Sequence, residues 1–381
     1  SSIIGRLIDS CVVWNAPLDF ISWHKFDSYL YSMKMEIDFL NQKLITSGHG
    51  IVPYLITEWN NNTSIRDTPF AAAFMPNYVL GLEEYGIDGH LVAAWQDFNM
   101  DTAEFHHDYG MLSWAALHKP EWKSLLLLNK MKGIKIETDS SDFLNLAVVS
   151  AIQNDTLRVL FSNRSLPGNV EATSYLLYTK HFNVTDIVNA GYTPTSLDSI
   201  YRGLITITGT DSLSLAINSA IPVYQKADSA FLFGRNINLV ISGITGTYGG
   251  TEYLIDSVNN NVIFLFDSLI AAGYTRNSAT SFLYPNSTIL GNNITITDSM
   301  YSFHMQPNAV LLLEYYIPGI SGFTTSAPLQ SSFEIFPNPS SENLTVTLFN
   351  QPMENEQIQI YNSTGTLIKT IDIKQVSTVL D

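Results

Sequence analysis

Short apolar runs alternate with helically spaced apolar residues in the first third of the chain, and this alternation restricts the fold more than any other feature. Phe20–Trp23 forms one run, Leu30, Met33, Ile37, Leu40 and Leu44 follow at three- and four-residue intervals, and Ile51–Ile56 forms the next run. The pattern predicts strand, helix, strand. A second helical stretch starts at Pro69, with Asp67 and Thr68 before it as cap candidates, and runs towards Tyr85 and Gly86. Pro76 inside it is expected to kink it. Leu91–Phe98 reads as a third strand, followed by a loop with Phe105, His106, His107, Asp108, Tyr109 and Gly110 and a helix from Pro120 to Met131. Strands separated by such helices imply βαβ units and a parallel sheet.

The composition changes after this region. All six tryptophans and six of the eight histidines precede residue 123, whereas the remainder is rich in Ser, Thr, Asn, Ile and Leu. From Gly133 the runs are short and β-branched: Leu144–Ile152, Leu157–Ser162, Leu204–Ile207, Ile237–Ile244, Val262–Phe266, Ile294–Ile296 and Ala309–Tyr316. Turn clusters such as Asn259-Asn260-Asn261 separate them, so an all-β sandwich is expected. Ile187–Thr193 and Leu269–Thr275 resemble each other, and both read as short helical turns ended by Gly. Residues 321–332 have linker composition, and 333–381 alternate with period two as a small β-meander. The expected organisation is an α/β domain over 1–131, a sandwich over 132–320, the linker, and a terminal module from 333. The sequence starts Ser1-Ser2-Ile3-Ile4 and stops at Asp381 within a strand-like pattern, so it is expected to be a piece of a longer chain.

Charge and cysteine content exclude several functions. A formal net charge of -16 argues against nucleic acid as partner. Cys11 is the single cysteine, which leaves neither an internal disulfide nor a Cys-based zinc site. The best candidate for a membrane span, Ala309–Ile320, is too short and is interrupted by Glu314 and Pro318. No dinucleotide fingerprint, phosphate loop or nucleophile elbow occurs, and no cofactor is expected. His106 and His107 are adjacent and would point apart on an extended loop, with no further ligand at a metal-site spacing.

Chemistry points to the strand ends. Tyr54-Leu55-Ile56-Thr57-Glu58-Trp59-Asn60 closes an apolar strand with a carboxylate among polar and aromatic neighbours. In a βα barrel, catalytic groups sit at the C-terminal strand ends, and a fixed carboxylate there suits nucleophilic attack on an oxocarbenium-like centre. The alternative reading of Glu58 is a surface residue after a core strand. The flanking strands end comparably, in Trp23-His24-Lys25 and in Trp95-Gln96-Asp97. Indole faces that stack on sugar C–H groups, beside hydroxyl-binding His, Gln, Asn and Asp, make His24, Trp59, Asn60, Trp95, Gln96 and Asp97 substrate-binding candidates.

Asp19–His24, Ile56–Asn60, Tyr109–Leu112 and Lys119–Trp122 through Leu127–Met131 together resemble glycoside hydrolase family 39 and its clan A relatives, which include β-xylosidases and α-L-iduronidases. The resemblance implies the sixth, seventh and eighth strands of a (β/α)8 barrel and its closing helix, followed by a β-sandwich. It makes Glu58 the retaining nucleophile at the end of strand seven, Trp95 an aromatic under the bound sugar, and His24 a residue lining the same subsite. Phe26 stands where xylosidase-like members tend to carry Tyr. The family's general acid/base, a Glu closing strand four, would lie before Ser1, so this stretch alone is expected to be inactive.

The tail from Phe333 resembles the C-terminal sorting domain of type IX secretion substrates, with Phe336-Pro337-Asn338-Pro339 and Tyr361-Asn362-Ser363-Thr364-Gly365 in the usual places. It implies a secreted or cell-surface bacterial protein that engages that machinery, with a signal peptide upstream. The function expected is a retaining glycoside hydrolase acting on plant or host polysaccharide or oligosaccharide. The alternative is a non-catalytic carbohydrate-binding or adhesion protein.

Overall fold

The computed structural model describes residues 3–61, 65–98, 101, 103–138, 140, 142, 145–284, 288–297 and 300–320, and strands within 333–380. It divides into two compact units, Ser1–Ile320 and Ser321–Asp381. The expected linker at 321–332, the Pro337-Asn338-Pro339 segment and the Asn362–Gly365 turn lie outside the described residues. Among the described residues, no helix is long and apolar enough to cross a membrane.

The first part of unit 1 opens with α1 (Ile3–Val13), which packs on α2. β1 (Ile21–Phe26), α2 (Leu30–Ser47), β2 (Tyr54–Asn60), α3 (Pro69–Glu84) and β3 (Gly89–Val92) follow, then a long loop and α4 (Pro120–Asn129). The three strands form a parallel sheet in the order β1-β2-β3, as the alternation predicts. On α2, the spaced residues Leu30, Met33, Ile37, Leu40 and Leu44 are all buried, and Gly48 ends the helix in a left-handed conformation. They join Ile21, Tyr54, Ile56 and Trp59 from the sheet and Phe70, Phe74, Tyr78 and Leu82 from α3 in one core. Pro69 occupies the first turn of α3 as expected, and Pro76 is accommodated within the helix.

The second part is built on an antiparallel sheet. β4 (Ile134–Ile136), β5 (Leu146–Gln153), β6 (Thr156–Asn163), β7 (Arg235–Val240), β8 (Thr247–Ile255), β9 (Asn292–Thr297), β10 (Met300–Met305) and β11 (Val310–Tyr316) form eight strands in the order β4-β5-β6-β11-β8-β9-β10-β7. Phe161 of β6 meets Phe303 of β10 at 5.2 Å between ring centroids although three strands separate them, so the sheet curls over its own inner core. The period of two gives two buried faces. Leu311, Leu313 and Tyr315 point into the curl, while Val310 and Leu312 meet Ala72, Ala73 and Leu80 of α3 and Leu127 of α4. α3 is therefore buried on opposite sides, which is why it is apolar nearly all round.

The all-β expectation for 132–320 is corrected. Between β6 and β7 lie α5 (Gly168–Ser174), a π-helical turn (Tyr175–Thr179), α6 (Val184–Asn189), α7 (Pro194–Tyr201) and the 22-residue α8 (Ser212–Phe233). Between β8 and β9 lie α9 (Val262–Ala271) and α10 (Arg276–Leu283). Val262–Phe266 is thus helical, because the Asn261 side chain caps the N–H groups of Ile263 and Phe264. A five-residue apolar run fits a strand or a buried helix equally well by periodicity. Leu204–Ile207 forms no strand. The two similar segments end as expected, with α6 and α9 followed by Gly191 and Gly273 at positive φ. In unit 2, β12 (Phe333–Phe336), β13 (Leu344–Leu348) and β16 (Ser377–Leu380) form one sheet, and β14 (Gln357–Tyr361) and β15 (Leu367–Asp372) another.

Candidate active site

Strict alternation along β2 would put Glu58 on the same face as Tyr54 and Ile56, against the helices. The register prevents this: Trp23 pairs with Ile56, but His24 pairs with Glu58. Thr57 is therefore an extra residue, a bulge, and the pairing of β2 with β3 slips at the same place. The bulge turns Glu58 to the exposed face beside His24, whose Nδ1 stands 3.4 Å from Glu58 Oε2. Both side chains are about half exposed, at 54% for His24 and 47% for Glu58. On the same strand Lys25 faces the other way and is buried, paired with Glu36 at 2.6 Å and Asp27 at 3.4 Å.

The same slip sends Trp59 inward. Its indole is buried, stacks on Tyr78 at 4.9 Å and donates its N–H to His90 Nδ1 at 3.1 Å. Burial lowers the His90 pKa, in keeping with an imidazole that accepts this bond. Trp59 is a packing residue, a correction to its expected place on a sugar-binding surface. Asn60 is buried as well: its Nδ2 donates to the carbonyls of Ala93 and Tyr109, and its Oδ1 accepts from Asn61 N–H. It ties the end of β2 to the loop after β3.

That loop is a narrow ribbon. Residues 94–97 and 109–112 exchange backbone hydrogen bonds, and a Cβ on Gly110 would lie 2.0 Å from the Asp97 nitrogen, so only glycine fits there. The ribbon presents Trp95, 64% exposed and edge-on to Trp122 at 4.6 Å, and Gln96, exposed and bonded through Nε2 to the Trp114 carbonyl at 2.9 Å. Asp97 turns inward instead. Its Oδ1 accepts from Gly110 N–H at 2.8 Å and from Lys119 Nζ at 2.9 Å, and Lys119 also reaches Asp67 at 2.7 Å. Asp97 is thus part of a buried ion cluster, which corrects its expected exposure to a sugar. Burial raises its pKa and Lys119 opposes the shift. Nearby Glu121 is pushed up to about 8 by burial, against the pull of Lys119.

Of the predicted residues, the structure brings His24 and Glu58 together and leaves Trp95 and Gln96 open to solvent. Trp59, Asn60 and Asp97 fix the backbone behind them. The Lys119 cluster escapes sequence reading because its members are scattered between Asp67 and Lys119 with no motif. His106 lies 3.7 Å from Asp108, and His107 bonds the Arg66 carbonyl. Among the described residues, no group of three or more His, Cys, Asp or Glu is placed to hold a metal. A cleft of about 770 Å³ is lined by Leu80, Glu83, Lys135, Glu137 and neighbours and includes none of the predicted site residues.

Residues 1–181 match the model of the glycosyl hydrolases family 39, and residues 334–381 match that of a secretion system C-terminal sorting domain. A β-xylosidase of Caldicellulosiruptor saccharolyticus is 26% identical over 185 residues, covering 43% of this chain and 38% of that protein. Among solved structures, a GH39 β-xylosidase from Caulobacter crescentus superposes with a TM-score of 0.51 at 12% identity, over 82% of this chain and 55% of that one. The GH39 enzyme from Xanthomonas axonopodis pv. citri gives 0.54 at 13% identity, over 83% and 58%. The chain thus spans well under two thirds of these relatives, and the structural likeness is one of fold. The chain carries a glycosyl hydrolases family 39 domain at 1–181 and a secretion system C-terminal sorting domain at 334–381.

Proposed function

We propose that these residues are the C-terminal part of a secreted retaining glycoside hydrolase, with Glu58 as the nucleophile. The observation that carries the reading is the bulge at Thr57, which aims Glu58 away from the core and beside His24, at the C-terminal end of a parallel strand within the family 39 segment. β1, β2 and β3 are read as strands six to eight of a (β/α)8 barrel, residues 132–320 as the accessory sheet domain, and the general acid/base as a carboxyl group in preceding βα units. Retention asks for a carboxyl pair about 5–5.5 Å apart, one to protonate the leaving oxygen and one to attack the anomeric carbon. His24 sets a ring nitrogen beside the Glu58 carboxylate, 3.4 Å away, and Trp95 and Gln96 offer an indole face and an amide to a sugar ring. Asn60 and Asp97 hold the strand end and the ribbon. The names of the relatives make a β-xyloside the first substrate to try. The sorting domain supports export by the type IX machinery to the cell surface or medium, with carbohydrate as the partner there.

The test uses the full-length protein and a panel of 4-nitrophenyl glycosides that includes the β-D-xyloside. Glu58→Gln is expected to lower turnover on the order of a thousandfold or more, and azide is expected to restore product formation in Glu58→Gly. Unchanged turnover in both variants removes Glu58 from the chemistry and leaves a carbohydrate-binding protein as the better description.

A further inference from the structure

We infer that Arg276, on the helical hairpin α9–α10 of the antiparallel sheet, is a positioning residue for the ribbon that presents Trp95 and Gln96, an inference that rests on the functional reading above. Its guanidinium reaches out of its own domain to Glu104, with Nε and Nη2 at 2.9 and 2.8 Å from Oε2, and Nη1 donates to the Asp101 carbonyl. Glu104 is fully buried, and its other oxygen accepts from Ala115 N–H at 2.8 Å and from the Ser113 hydroxyl. Between them stands Trp114, whose carbonyl receives the Gln96 amide; Leu112 N–H bonds the Trp95 carbonyl. Arg276, Glu104, the Ser113–Ala115 turn and Gln96 are thus joined by a continuous chain of polar contacts. Apolar contacts close around it: Phe105 meets Phe266 edge-on at 5.4 Å, and Leu117 packs with Val262, Phe266, Ala279 and Leu283.

The sequence of the hairpin supports a dedicated role. α6–α7 and α9–α10 share a plan: an Asn cap, a helix, a left-handed Gly, a Tyr, and a Thr cap. After that Thr cap, α7 begins with Pro194, the residue best suited to the first helical position, but α10 begins with Arg276. A cation at a helix N-terminus opposes the helix dipole, so its placement calls for compensation from elsewhere. The buried Glu104 carboxylate supplies it. Removing Arg276 would strand that charge, and the cheapest relief is movement of the 103–117 segment.

The test compares wild type, Arg276→Met, Arg276→Lys and a control, Ile296→Ala, that opens the sheet core away from the ribbon. In Arg276→Met, hydrogen exchange of peptides within 103–117 is expected to quicken about tenfold while those within 146–163 are unchanged, with Arg276→Lys in between. On 4-nitrophenyl β-D-xyloside, its KM is expected to rise about fivefold with kcat within about twofold. Ile296→Ala is expected to lower the melting temperature without either effect. Exchange in 103–117 that is unchanged in Arg276→Met, or that quickens equally in Ile296→Ala, overturns the inference whether or not the xyloside is turned over. Glu58→Gln run in parallel separates the two ideas: full turnover there removes the nucleophile and leaves the exchange result standing.

Discussion

Glu121 shows how a single buried carboxyl ties stability to pH. Its folded pKa of about 8 lies above the ordinary value of 4.5, because burial penalises the charged form more than Lys119 favours it. Between those values the unfolded chain has released a proton that the folded chain keeps, so folding stability falls as pH rises from about 4.5 to about 8 and then levels off. Glu121→Gln is expected to remove this slope, gaining on the order of 2–4 kcal/mol over wild type between pH 5 and pH 8. Urea midpoints at the two pH values check it; parallel curves for the two proteins would place the proton elsewhere. Neither the burial of Glu121 nor its neighbours is visible in the sequence, where Lys119-Pro120-Glu121 reads as an ordinary helix start.

Among the elements, β2 decides the site. Deleting Thr57 would set Glu58 directly after Ile56, so plain alternation keeps Glu58 on the exposed face and Trp59 in its stack on Tyr78 while the register with β1 runs straight through. The full-length deletion variant is expected to keep the wild-type near-UV circular dichroism and to lose turnover on the order of tenfold to a hundredfold through the shifted carboxylate. Loss of the folded near-UV spectrum would mean that the extra residue sets more than the position of Glu58. The helix α2 and the start of α3 were legible, because each buries one periodic face or opens on Pro69. The bulge was not, since the seven residues of β2 read as one regular strand and the slip appears only against β1. Nor were α8 and α9: Asp211 and Asn261 cap them, but Asn261 stands in a cluster that reads as a turn between strands, and Asp211 follows the β-branched run Leu204–Ile207. Of the site itself, the strand ends carrying His24 and Glu58 could be read; the inward turn of Trp59 and Asp97 depends on partners far along the chain.

At the scale of the molecule, α3 belongs to both sheets. Residues on either side of 131 share a core through Ala72, Ala73, Leu80 and Leu127. A chain ending at 131 is expected to lack a cooperative melt, whereas one ending at 320 is expected to melt as the full chain does, since the compact unit closes at Ile320. Near-UV circular dichroism and calorimetry distinguish the two cases; a sharp transition for the shorter chain would make the halves independent. A helix with no watery side also limits how such a protein could be assembled by recombination. Swapping residues 1–131 onto a foreign scaffold would leave a stripe of small side chains seeking a surface shaped to receive them, so the two halves are expected to be inherited as a pair.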